Sequence, residues 1–161
     1  AEILNYLARI RRGELSDHDS LEVQGLMTAT DNLESLADVI ESDIVSLAQK
    51  ASEVKSTSGE ETRAMLRALY QTTVESVELA VEAVRDNNQQ AAESVLTMKD
   101  TVRELSEQVL ARKASRLTPD DPDYLSLVRL EMAFVEQMRR IYTLAKRIAK
   151  VALPPVLAQR D

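Results

Sequence analysis

The sequence predicts an all-α protein, an antiparallel up-and-down helical bundle, and three observations carry that expectation. The 161 residues are 44% hydrophobic but only 3% aromatic, with no Trp, so the core has to be built from Leu, Val, Ile, Ala and Met. Such side chains suit helix packing better than a sheet, which favours aromatic and β-branched residues. Only 3 Gly and 4 Pro interrupt the chain, so its elements are long. Between those interruptions the apolar residues recur at the three- and four-residue intervals of a single helical face.

The elements follow in order. Ile3, Leu4, Leu7 and Ile10 mark a first helix that Gly13 ends. Ser16 or Asp17 can cap the second, because a short oxygen-bearing side chain satisfies a free amide of the first turn. That helix runs to about residue 55 with Gly25 as its one interruption, and Leu26, Leu33, Leu36, Ile40, Ile44 and Leu47 are expected to face inward. Residues 56–59, Ser-Thr-Ser-Gly, read as a linker. Glu60 and Glu61 then suit the first turn of a third helix, where the macrodipole favours acids. Met65, Leu66, Leu69, Val74, Val77, Val81 and Val84 are its expected core side. Asp86-Asn-Asn88 is a turn signal, and a fourth helix is expected over 89–116 with Val95, Met98, Val102, Leu105, Val109 and Leu110 inward. Two Pro and three Asp make 117–123 a loop with a helix start. The last helix should span about 123–153 and stop at Pro154-Pro155, leaving 154–161 as a tail.

Composition excludes several functions. Cys is absent, so disulfides, thiolate nucleophiles and Cys-ligated metals are ruled out. A net charge of −7 argues against general nucleic-acid binding, which needs a basic footprint. No apolar run approaches the roughly 18 residues needed to cross a bilayer. The chain opens without Met and already in helical periodicity, as expected of a segment cut from a longer protein inside a helix. His18, the single histidine, sits in a polar helix-start segment and reads as a surface residue. It also rules out the di-iron carboxylate signature, which needs Glu-x-x-His on two helices. There is no Gly-rich phosphate loop, no Gly-x-Ser-x-Gly and no Ser/His/Asp set, so no enzymatic activity is expected. The tyrosines and Phe134 read as ordinary packing residues with wet hydroxyls.

The charge is segregated along the chain. Residues 31–43 hold five acids and no base, whereas 139–150 hold five bases and no acid. Both segments share a skeleton, with Leu33, Leu36-Ala37 and Ile40 matched by Ile141, Leu144-Ala145 and Ile148. They read as one structural position in two halves of a helical repeat whose unit is three helices. At about 100° per residue, Glu34, Asp38 and Glu41 lie within roughly 80° of Asp31, and Asp43 falls well away. Four carboxylates thus form one outward stripe. Carboxylates one turn apart can share a hard cation through oxygen ligands; without one they repel each other. A solvated or base-paired polar face and a cation site both remain open for this stripe. For Arg139, Arg140, Lys146, Arg147 and Lys150, three readings stand. They are a solvated face, pairing with the acidic stripe, and contact with phosphate or anionic head groups.

This organisation resembles the PhoU family of tandem three-helix repeats. Leu33-Glu-Ser-Leu-Ala-Asp38 is similar to the family's Leu-Glu-Arg-Ile-Gly-Asp phrase, keeping Glu34 and Asp38 and replacing Arg and Ile by Ser35 and Leu36. The second copy, Met138-Arg-Arg-Ile-Tyr-Thr143, keeps Arg140 and Ile141 but has Arg139 for the Glu and Thr143 for the Asp. The opening Glu2-Ile-Leu-Asn-Tyr-Leu-Ala-Arg-Ile10 and Leu15-Ser-Asp17 look like the PhoU-like tail of bacterial Na+/phosphate cotransporter-type membrane proteins. The resemblance implies a PhoU-like three-helix repeat over 60–153 plus the end of another, a partial helix and a long one, over 1–55. It further implies a non-catalytic cytoplasmic domain, attached to a transmembrane transporter portion of the same polypeptide and involved in phosphate uptake or its regulation. The one cofactor it implies is a divalent or iron-type metal at Asp31, Glu34, Asp38 and Glu41. A homodimer is a further expected partner, because the incomplete repeat leaves an apolar face needing cover.

Overall fold

The computed structural model describes residues 2–11, 13, 15–114 and 122–154. The loop expected over 117–123 falls mostly outside them, as does the tail beyond Pro154. Among the described residues every regular element is helical: α1 (Glu2–Ile10), α2 (Asp17–Asp38), a π-helical stretch (Val39–Ile44), α3 (Val45–Glu53), α4 (Glu60–Arg85), α5 (Gln89–Thr97), α6 (Lys99–Ala114) and α7 (Pro122–Lys150). The expected all-α bundle is what forms.

Local chemistry sets the boundaries. Ser16 caps α2, its Oγ accepting from the Asp19 amide at 3.1 Å, and Asn88 caps α5 through Oδ1 and the Ala91 amide at 3.1 Å. The α4–α5 turn places Asn87 at φ 49°, a left-handed position that Asn tolerates, and the Asn88 amide closes back on the Ala83 carbonyl at 2.9 Å. No Gly or Pro marks the break that divides the expected fourth helix. At Met98 the amide bonds to the Val95 carbonyl three residues back, tightening the turn.

α7 is the central element, packing on α2, α3, α4, α5 and α6. On α4, Leu69, Thr73, Ser76, Ala80 and Ala83 are all essentially inaccessible, at alternating four- and three-residue steps. That is a 3.5-residue period, and its small side chains suit close packing of α4 in the bundle. Most of the expected inward face of α4 packs as expected: Leu69 is buried, and Met65, Leu66, Val77 and Val84 pack at the edge of the core. The correction is at Val81, which is exposed, and at the centre, which Ala and Ser take.

The α2 face is also corrected. Leu36 is buried and Ile44 packs against the core, but Leu26, Leu33 and Ile40 are 37%, 38% and 47% exposed. Ala29 and Val39 occupy the contact instead. The cause is that α2 leans mainly on α7 and α1, a contact narrower than a bundle core. In addition, each i→i+5 bond of the π-helical stretch adds a residue to the turn, so a wheel built on 100° steps no longer applies. The Val45 amide reaching the Ile40 carbonyl is one such bond. At Gly25 the chain just past α7 comes close: an added Cβ would meet Val151 Cγ1 at 2.9 Å.

Candidate functional site

The acidic stripe runs along the last turns of α2 into the π-helical stretch. Asp31, Glu34, Asp38 and Glu41 are all exposed there, as the helical wheel placed them. Among the described residues, the one set of three potential ligands close enough to share an ion is His18, Asp19 and Glu22; the stripe supplies none. As they stand, its carboxylates do not converge on a shared ion. His18 is exposed in the first turn of α2, and the chemistry around it is that of a helix cap. Asp19 accepts the Ser16 hydroxyl at 2.6 Å, and that hydrogen bond holds its carboxyl below the usual carboxylate value.

The two charged segments meet, but through the acid that the wheel set aside. Arg140 Nη1 of α7 lies 3.0 Å from Asp43 Oδ2 in the π-helical stretch, with both side chains partly exposed. A surface pair of this kind contributes about 0–1 kcal/mol; its value is that it ties the long N-terminal helix to α7. Arg139 and Arg140 flank an open groove of about 610 Å³ between α6 and α7, with Leu110, Met132 and Thr143. Arg147 and Lys150 flank another of about 440 Å³ where α2 passes the end of α7, near Leu21, Gln24 and Thr28. Within the degenerate motif copy, Met138, Ile141 and Tyr142 are buried while Arg139, Arg140 and Thr143 face outward.

Two polar residues of the interior were not anticipated. Tyr142 is 5% exposed, not wet-tipped, and its hydroxyl donates to the Val95 carbonyl at 3.0 Å. That carbonyl lies at the α5–α6 break, so the tyrosine braces the kink. Glu131 is also 5% exposed, and its Oε1 accepts the Ser58 hydroxyl at 2.5 Å, fastening the 54–59 linker to α7. The signal for Glu131 was present in the spacing: it stands four residues after Leu127 and four before Val135, on the apolar face.

No protein-family model, curated protein or solved structure matches this chain. Among the described residues, no helix is long and apolar enough to cross a membrane.

Proposed function

We propose that this chain is a PhoU-like, non-catalytic regulatory or interaction domain on the cytoplasmic side of a sodium-dependent phosphate transporter-like membrane protein. The observation that carries the reading is the phrase Leu33-Glu-Ser-Leu-Ala-Asp38 with Glu34 and Asp38 exposed on a helix that leans on α7. The mechanism would be conformational. A cation, phosphate or partner at the charged faces changes how α2 and α3 sit on α7, and the attached membrane portion responds. The Asp43–Arg140 bridge is a contact through which such a change would pass. Removing the region coding for this chain from its parent gene and measuring phosphate uptake tests the reading. Altered uptake or altered response to external phosphate is expected; unchanged uptake and regulation would overturn it. A soluble PhoU-type regulator of phosphate signalling is the alternative within the same resemblance, and a hydrophobic multi-span segment upstream in the parent gene distinguishes the two.

A second reading, a purely structural oligomerisation module, is favoured by the exposed flank Leu26, Leu33 and Ile40, spaced seven residues apart like a coiled-coil seam. Elemental analysis and thermal melting of the purified protein with divalent ions and iron separate a cation-binding role from that one. No metal and no stabilisation would remove the cation role of Glu34 and Asp38.

A further inference from the structure

The open groove between α6 and α7 sets two guanidiniums beside apolar surface. Its volume of about 610 Å³ lies within the range of small-molecule sites. Leu110 of α6 and exposed Met132 of α7 supply the apolar surface, and Arg139 and Arg140 line the same groove. Thr143 lines it too, but its hydroxyl donates to the Arg139 carbonyl at 2.8 Å, which leaves the guanidiniums as the main donors for an anion. Glu136 also lines the groove, and its carboxylate opposes an anion there. A guanidinium carries several N–H donors in a fixed fork. The bond from Arg140 Nη1 to Asp43 Oδ2 occupies part of one fork, and both side chains of that pair are partly exposed, so another anion can reach the same guanidinium. A carboxylate ligand would offer Arg140 no more than Asp43 already does. A phosphate monoester carries about −1.5 to −2 charge and three strong acceptor oxygens, enough for both forks.

We propose that this groove binds an organic phosphate monoester, its phosphate across Arg139 and Arg140 and its hydrocarbon body against Leu110 and Met132. The bound phosphate competes with Asp43 for the Arg140 guanidinium, and so loosens the tie between the π-helical stretch and α7. This deepens the conformational reading above and rests on it for any effect on the membrane portion. The test titrates hexyl phosphate, sodium hexanoate and inorganic phosphate into the whole chain at low ionic strength, by calorimetry and by the shift of the Met132 methyl. Hexyl phosphate is expected to bind more tightly than hexanoate, and about tenfold more tightly than inorganic phosphate, which lacks the apolar body. Arg139→Gln is expected to weaken hexyl phosphate about tenfold. Asp43→Asn removes the competitor and is expected to tighten it by about two- to fivefold, the worth of an exposed ion pair. Phosphatidylcholine vesicles carrying phosphatidate present the same headgroup on a lipid surface. Attachment to those vesicles without binding of hexyl phosphate would overturn the proposal. So would hexyl phosphate binding no more tightly than inorganic phosphate, binding undiminished by Arg139→Gln, or binding not tightened by Asp43→Asn. Binding is read on the chain itself and the functional reading on phosphate uptake, so the two fail separately.

Discussion

Tyr142 shows how one side chain can hold a fold together at its weakest joint. Burial, with Asp100 nearby, pushes its phenol up to about 12 from an ordinary value near 10. The folded protein thus favours the neutral form more than the unfolded chain does. Its contribution is complete below about pH 10 and is lost as pH rises through about 12. Tyr142→Phe should lower stability at neutral pH by about 1 kcal/mol, because the Val95 carbonyl keeps its bond from the Met98 amide. It should also flatten the alkaline loss relative to the native protein. Urea unfolding at pH 7 and between pH 9 and 12 measures both; a variant that tracks the native curve would refute the assignment. Residue-scale reading of the sequence succeeded where local chemistry decides, as at the cap Ser16 and the turn Asp86-Asn-Asn88. It failed at Tyr142 because the acceptor for that hydroxyl is created by a helix break forty-seven residues away in sequence, which no local pattern announces.

At the scale of elements, boundaries written in capping residues, Gly and turn sequences were legible, and irregularities inside helices were not. Nothing in the composition of 39–44 distinguishes it from an α-helix, yet its wider turns decide what α3 presents to α7. Deleting Ser42 removes one residue from this stretch and should turn α3 by about 100° about its axis. Half-buried Leu47 and Val54 then leave α7, at a cost of about 1–3 kcal/mol. Chemical denaturation with helicity followed by circular dichroism checks this. A deletion variant as stable as the parent would mean that the extra residue is merely accommodated. The four-carboxylate stripe survives as an exposed face because most of it precedes the π-helical stretch. Asp43, beyond most of it, is carried round to Arg140.

Across the whole molecule, the repeated skeleton of residues 33–40 and 141–148 carries a physical lesson. Ile141, Leu144, Ala145 and Ile148 are all buried, whereas of the matching residues only Leu36 is. Identical spacing gives opposite burial because α7 is surrounded and α2 is packed mainly from one side. A sequence pattern specifies which residues share a face and leaves open whether anything covers it. The same asymmetry predicts unequal local stability. In native-state hydrogen exchange, amides of α1, α2 and α3 should open at lower free energy than those of α4 and the second half of α7. Protection of α2 equal to that of α4 would mean that both halves unfold as one unit.

The hydroxyls of the α4 and α6 seams have a further consequence. Thr73, Ser76 and Ser106 are buried, yet they bond to the carbonyls of Leu69, Thr73 and Val102 within their own helices. Each is spent on its own rod and keys it to no neighbour. Alignment at the buried centre of those seams therefore depends on fit between small surfaces, and a single enlarged side chain there would wedge the rods apart.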